Sequence, residues 1–262
     1  MLKIKGISKK FITISGEKII FEGLDLNIGE GDFVTIIGSN GAGKSTLMNL
    51  IIGNLEPEAG SIHVDDTEIT RMDAHKRARF ISKVYQNPTF GTAPSMTIKE
   101  NLAMAERKGK TFGLRFGLKK GSEPRYKEIL STLGLGLENQ LDTPVGLLSG
   151  GQRQCLSLIM ATMQRPKMLL LDEHTAALDP KTQIMIMEKT KEIVERDKLT
   201  TLMITHNLQD AIDYGNRLIM LHNKEVILDI TGEEKKSLTI DKLLKVFHDK
   251  DKNAISETML FQ

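Results

Sequence analysis

Short segments in which apolar and polar residues alternate occupy the first third of the chain and predict strands with one solvated face. These segments are residues 2–8, 24–28, 61–64 and 80–85. Residues 33–38, FVTIIG, are instead continuously apolar up to a glycine, which is typical of a strand buried on both faces. Two later apolar runs, at 168–171 and 200–205, predict further buried strands of the same core.

Apolar residues at helical spacing predict helices elsewhere in the chain. The pattern covers residues 97–108, 124–134 and 180–195, and it returns near the end at Ile240, Leu243, Leu244 and Phe247. The helix at 180–195 separates two buried strands, and this alternation predicts a right-handed parallel α/β core. The helices of the middle of the chain form a block that interrupts the core.

The composition excludes several classes of protein. Lysine and arginine number 36 against 34 acidic residues, a net charge of +2, so no global charge points to nucleic acid as a partner. Apolar residues make up 40%, enough for a real core. The apolar runs are far shorter than the ~20 residues that a membrane-spanning helix needs. A single cysteine, Cys155, excludes an internal disulfide and suits the cytoplasm.

The segment GSNGAGKST, residues 38–46, matches the phosphate-binding pattern G-x-x-x-x-G-K-[ST] and follows the buried strand directly. Backbone N–H groups of such a loop point at phosphates, and the helix that follows adds its dipole. Lys44 can reach the β- and γ-phosphates, and Ser45 can ligate Mg²⁺. The alternative is a glycine-rich turn with an accidental lysine, which the strand and helix on either side disfavour. The predicted phosphate contacts are Gly38, Ser39, Asn40, Gly41, Ala42, Gly43, Lys44, Ser45 and Thr46.

A second buried strand ends in two carboxylates, in the segment MLLLDE at 168–173. Asp172 is placed to hold the metal, usually through water, and Glu173 to orient and activate a water for attack on the γ-phosphate. An acidic pair that favours a helix N-terminus is the alternative, and the phosphate loop weighs against it. Together the two motifs predict a P-loop NTPase core with a parallel sheet.

The segment LSGGQ, residues 148–152, opens a helical stretch. With the two motifs above, it makes residues 2–230 resemble the nucleotide-binding subunit of an ATP-binding cassette (ABC) transporter. A glycine pair and a hydroxyl before a helix form another anion site, which is redundant unless two chains share each nucleotide. The resemblance implies that sharing: Ser149, Gly150, Gly151 and Gln152 of one subunit close on ATP held by the partner's Lys44 loop.

The resemblance implies roles for four more residues. Gln86 would sense Mg²⁺ beside the transporter-binding groove, His206 would contact the γ-phosphate, and Phe11 would stack on adenine. Asp179 would couple the two nucleotide sites across the dimer. Each also has a structural interpretation: Gln86 as turn chemistry, His206 as a strand-end residue, Phe11 as core. Asp179 before Pro180 would also cap a helix, and both roles can hold together.

The resemblance also predicts the domains, partners and location of the chain. Residues 1–238 would form the ATPase domain, with an N-terminal antiparallel β subdomain and a helical subdomain inserted at about 90–165, and 239–262 a C-terminal helix and tail. The subunit would bind ATP and Mg²⁺, pair with a second, identical ATPase subunit, and dock on membrane-spanning permease subunits at the cytoplasmic face. An extracellular solute-binding protein would serve an importer; no nucleic acid is expected.

Two departures from the family pattern bear on function. His174 stands where the family usually has proline, and a structural role is the better interpretation because Glu173 already serves the water. The Val-Gly-Glu motif often seen before the signature of exporters is not present in DTPVGLLSGG, which favours an importer. The segments DEHTAALDPKT and LHNKEVILDITGEEKK resemble a bacterial importer subgroup for aromatic amino acids or similar small solutes.

Other classes of protein fit less well. A soluble ABC-type ATPase of DNA repair or translation would carry a long coiled-coil insertion or two cassettes. A GTPase would need Asn-Lys-x-Asp, whereas residues 223–226 read Asn-Lys-Glu-Val. A non-catalytic module would be expected to lack Glu173 or His206. Residues 107–127 carry eight basic residues against one acid, which predicts either a solvated loop or a contact with acidic lipid or the membrane partner.

Overall fold

The computed structural model describes residues 1–14, 16–108 and 121–250, with the backbone alone for 248–250. The chain divides into two compact units. The first unit contains Met1–Arg77 and the chain from Thr200 onward, and the second contains Ala78–Leu199. Most of the basic segment, residues 109–120, and the tail from 251 lie outside the described residues.

Antiparallel strands open the first unit. Leucine and isoleucine side chains at alternate positions are buried on one face of this sheet, as the alternation predicts. The strands run longer than predicted because backbone pairing continues past the last inward residue to the exposed Ile12. The strands, in spatial order, are β2 (Gly16–Ile28), β1 (Leu2–Thr13), β4 (Ala59–Val64) and β5 (Thr67–Glu68).

A second set of strands in the first unit surrounds β3 (Phe33–Gly38), which is buried along its whole length. It pairs in parallel with β8 (Thr200–Ile204) and with β9 (Arg217–His222). Strand β10 (Glu225–Thr231) pairs antiparallel with β9. The sequence patterns did not predict β9 and β10.

The described residues of the first unit form helices α1 (Lys44–Ile52), α2 (Ala74–Arg77), α7 (Leu208–Asp213), α8 (Gly232–Lys236) and α9 (Ile240–Lys250). The predicted C-terminal helix is confirmed. Its Leu243 and Phe247 are buried in one apolar cluster with Ile37 of β3 and Met220 of β9. Helix α9 therefore completes the core beneath the phosphate loop.

In the second unit, β6 (Ile81–Val84) pairs in parallel with β7 (Met168–Asp172). Its helices are α3 (Ile98–Glu106), α4 (Glu123–Ser131), α5 (Gly150–Thr162) and α6 (Pro180–Asp197), with short 3-10 turns at Pro88–Gly91, Leu137–Asn139 and Val145–Leu147. The predicted helices are present, and the α/β class with an N-terminal antiparallel sheet is confirmed. Within the described ranges, no helix has the length and apolarity to span a bilayer.

Candidate functional site

The phosphate-binding loop, residues 38–46, leaves the carboxyl end of β3 and turns into α1 in the first unit. Gly43 has the left-handed φ of 99°, and a Cβ there would lie 2.6 Å from the Phe21 ring, so only glycine fits. Lys44 is 8% exposed, and its Nζ donates to the carbonyls of Gly38 at 2.5 Å and Ser39 at 3.1 Å. The Lys44 ammonium is therefore hydrogen-bonded to carbonyls of its own loop.

A cleft of about 330 Å³ runs along this loop in the first unit. Residues 39–42 line one side, and the start of β2 and the β9–β10 turn line the rest. Ser39 Oγ lies 3.4 Å from Nδ1 of the buried His222, whose ring meets Phe247 of α9 edge-on at 5.8 Å. Through His222, helix α9 therefore supports the phosphate-binding loop.

His206 and Phe11 also belong to the first unit. His206 is exposed and follows β8, and since β8 pairs in parallel with β3, His206 and the phosphate loop leave the same edge of the sheet. Phe11 is half-buried on β1, with Lys9 Nζ 5.4 Å from its ring centroid. It is therefore a partly exposed aromatic face and not a core residue.

The second unit carries the predicted metal ligand and general base. Asp172 ends β7, and Glu173 follows it with a left-handed φ of 45°, an uncommon conformation for a residue with a side chain. Gln86 is exposed and follows β6, which is parallel to β7, so it shares an edge with both carboxylates. Within this unit, Asp172 and Gln86 would both present oxygen, the ligand that Mg²⁺ prefers.

One charged group beside Asp172 was not predicted. Lys83 of β6 places Nζ 2.7 Å from Asp172 Oδ2, with its side chain 8% exposed. The same ammonium lies 4.9 Å from the centroid of the Tyr85 ring. Burial, and then the charge of Asp172, raise the pKa of the Tyr85 hydroxyl. The alternation of residues 80–85 predicts one solvated face for this strand, so the local sequence carried no signal for the ion pair.

The signature segment, residues 148–152, caps α5. Ser149 Oγ accepts from the Gln152 N–H at 3.2 Å, and Gln152 Oε1 accepts from the Ser149 N–H at 3.1 Å. A Cβ on Gly151 would lie 2.5 Å from Thr182 of α6, so this glycine permits the two helices to pack closely. Ser149 and Gly150 are exposed at the helix start, where backbone N–H groups and the dipole favour an anion.

Asp179 caps the next helix, as its interpretation as a helix start requires. Its carboxylate accepts from the Thr182 N–H at 3.1 Å, and Pro180 takes the first helical position. Hydrogen bonds from Thr182 lower the pKa of Asp179. Asp179 stays exposed, so capping leaves it accessible for a second role.

His174 is buried, and its Nε2 lies 3.0 Å from Thr190 Oγ1. Because the Thr190 hydroxyl donates to the Ile186 carbonyl at 2.8 Å, it must accept from the imidazole N–H. Burial lowers the pKa of His174 to about 4. At neutral pH the ring is therefore uncharged and ties the segment after Glu173 to α6.

A pH dependence of stability follows from His174. The unfolded side chain titrates near 6.5, so its neutral form contributes fully above that pH, and stability is lost as pH falls from about 6.5 to 4. Between pH 7.5 and 5.0 we expect a loss of about 2 kcal/mol that His174→Gln does not share. Urea unfolding of both proteins at the two pH values measures the difference; an equal loss in both would show a protonated or exposed ring.

Comparison with known proteins extends these observations. Residues 21–176 match the family model described as ABC transporter. The tyrosine transport ATP-binding protein of Clostridioides difficile is 50% identical over 94% of this chain and 98% of that protein. A phosphonates import ATP-binding protein of Agrobacterium fabrum is 31% identical over 98% of this chain and 88% of its own length.

A solved structure also matches closely. A dimeric ATP-binding cassette in a post-hydrolysis state, bound to ADP and Pi, aligns with a TM-score of 0.73 and 30% identity, over 88% of this chain and 98% of that one. The chain therefore belongs to the ABC transporter family. It is an ATP-binding, ATP-hydrolysing subunit of the family's cassette type, with the predicted fold.

Proposed function

We propose that this ATPase drives import of a small solute, with tyrosine or a similar aromatic amino acid as the substrate. The observation that carries the proposal is the 50% identity, over 98% of its length, to a protein named for tyrosine transport. The subunit works as a homodimer that docks on membrane-spanning permease subunits at the cytoplasmic face. An extracellular solute-binding protein delivers the solute.

The first unit binds the triphosphate in this proposal. The N–H groups of the phosphate loop and the positive end of the α1 dipole face the phosphates. Lys44 exchanges its contacts with the Gly38 and Ser39 carbonyls for the β- and γ-phosphates, a charge-assisted contact that is stronger than a neutral one. His206 contacts the γ-phosphate, and Phe11 stacks on the adenine.

The second unit carries out the chemistry. Glu173 accepts a proton from the attacking water and orients it, and the strained backbone at this residue is typical of a functional position. Asp172, Gln86 and Ser45 are the proposed holders of Mg²⁺, which when bound neutralises charge developing on the phosphates. Domain limits of 1–238 for the ATPase and about 90–165 for its helical part belong to the same proposal.

The signature segment supplies a second phosphate site. Its exposed helix start would face the ATP held by the partner subunit, with Ser149, Gly150 and Gly151 donating from hydroxyl and backbone groups. Gln152 holds the segment in shape through the capping box. Asp179, exposed at the start of α6, would contact the partner in the same closed dimer.

Replacing Lys44 with alanine tests the binding part of the proposal. The change removes the ammonium from the phosphates, and a charge-assisted hydrogen bond is worth about 1.5–3 kcal/mol, so ATP affinity should fall by at least about tenfold. Fluorescence titration with a labelled ATP analogue measures it. Lys3→Ala, an exposed lysine on β1, serves as the control and should bind normally. Unchanged affinity in Lys44→Ala would remove the loop from its role.

Uptake tests the transport part of the proposal. A strain that lacks this chain should lose accumulation of labelled tyrosine, and wild type but not Lys44→Ala should restore it. Restored uptake of a different solute would support the transporter and overturn the substrate. If deletion leaves uptake of all small solutes unchanged, the result would instead support the alternative function, a soluble ABC-type ATPase in DNA repair or translation.

A further inference from the structure

Lys83 lies in a buried strand, where placing a charged side chain costs free energy. The other residues of β6, Ile81, Ser82 and Val84, are buried, and the Lys83 side chain is 8% exposed. Charged groups this deep are stable only when they are paired. The Lys83 ammonium finds its partner in Asp172, at 2.7 Å, with the Tyr85 ring 4.9 Å away on another side.

The partner of Lys83 is the carboxylate that the proposed function assigns to the metal. Asp172 is itself only 21% exposed, so solvent screens this ion pair less than it would a surface pair. A lysine ammonium and Mg²⁺ both seek carboxylate oxygen, and a nearby positive charge also repels a divalent cation. The two cations therefore compete for one carboxylate.

Lys83 also connects Asp172 to the segment that carries Gln86. The Tyr85 ring, under the ammonium, makes an edge contact with Phe90 at 6.2 Å between centroids. The Tyr85 carbonyl accepts from Gln154 Nε2 of α5 at 3.1 Å. When the flexible lysine stem lets the ammonium leave Asp172, the Tyr85 face remains as a second favourable contact.

We propose that Lys83 is a positioning residue that balances the charge of Asp172 until metal and nucleotide bind. Its ammonium then yields the carboxylate, so Lys83 raises the Mg²⁺ concentration that nucleotide binding requires. The inference rests on the proposed function, in which Asp172 holds Mg²⁺ beside ATP. It assigns a role to a residue outside the recognised motifs of this chain.

The test is a Mg²⁺ titration of nucleotide binding, read by fluorescence of a labelled ATP analogue and independent of hydrolysis. Lys83→Met should lower the Mg²⁺ concentration at half-saturation by at least about threefold, since a repelling and competing charge is gone. Lys83→Arg, which keeps the charge, should stay near wild type. Lys99→Met removes another ion-paired lysine of the second unit, next to Glu123 and Asp142, and should leave the midpoint unchanged.

Thermal unfolding gives a second readout. In EDTA without nucleotide, Lys83→Met should melt at a lower temperature than wild type, because Asp172 keeps its charge without a cation. With Mg²⁺ and nucleotide the gap should narrow. If Lys83→Met does not fold, both measurements are made on Lys83→Gln, because the glutamine amide can still donate a hydrogen bond to Asp172.

Two failures are distinguishable. If wild type binds the nucleotide with a Mg²⁺ dependence but the neutral variants share its midpoint and lose equal stability in both conditions, Lys83 is an ordinary structural ion pair and the inference is wrong. If wild type binds no nucleotide at any Mg²⁺ concentration, the proposed function falls, and the inference falls with it.

Discussion

ATP turnover by Glu173→Gln should be at least about a hundredfold below wild type, because general-base catalysis contributes about 10²–10⁴-fold. Glutamine keeps the length and branching of the side chain and can occupy the same left-handed backbone, at φ 45°. The substitution therefore removes the carboxylate with little other change. Steady-state phosphate release measures turnover, and Glu195→Gln, an exposed residue of α6, is the matched control. Wild-type turnover would remove Glu173 from its role.

The same variant should trap the dimer. ATP binding survives because Lys44, Ser45 and Asp172 are unchanged, and losing a negative charge near the γ-phosphate favours binding. Uncleaved ATP then bridges the Lys44 loop of one chain and Ser149 of the other. Size exclusion should show a dimer with ATP and a monomer with ADP, and adding Ser149→Arg should abolish the dimer. Tight ATP binding by a persistent monomer would contradict the shared site.

Arg77→Leu should lower the free energy of unfolding by about 3–5 kcal/mol, the range expected when a buried charged group with several hydrogen bonds is removed. Arg77 is 1% exposed, and its guanidinium donates to the carbonyls of Leu50, Ile51, Thr70 and Met72 at 2.6–3.0 Å. Two of these carbonyls end α1, where no backbone N–H remains to pair with them.

Urea unfolding measures the loss in Arg77→Leu. Arg77→Lys should also be costly, because one ammonium cannot reproduce the planar fork of donors. Arg71→Leu, at an exposed position a few residues earlier, should change stability by less than about 0.5 kcal/mol. A change below about 1 kcal/mol in Arg77→Leu would mean that water replaces the guanidinium at the end of α1.

The core strands could be predicted from sequence because burial on both faces makes their apolar runs continuous. Observed β3, β7 and β8 agree with the prediction to within one residue. The β9–β10 hairpin was not predicted because its turn lacks the glycine that normally marks a hairpin. Asn223 and Lys224 both adopt left-handed φ values, 44° and 74°, where a glycine normally marks such a turn.

Some features of the candidate site could be predicted from the sequence, and others could not. Motif spacing predicts the phosphate loop, the carboxylates of β7, the helix that 148–152 opens and the helix cap at Asp179, since these depend on neighbours in sequence. Lys83 meets Asp172 only through the register of β6 with β7, which local patterns do not encode. Arg77 likewise finds two of its four carbonyl partners, Leu50 and Ile51, across 27 and 26 residues of sequence. The functional assignment of every site residue stays a prediction.

Cys155 offers a practical route to watching this molecule move. It is the single cysteine of the chain, it is fully buried in α5, and burial raises the pKa of its thiol to about 11. The thiolate is the species that reacts with maleimides and oxidants, so we expect the Cys155 thiol of the native protein not to react with either. Spectroscopic labels can be attached through cysteines introduced at chosen surface sites without first replacing Cys155. Distances between labels would then follow the catalytic cycle in an otherwise unaltered subunit.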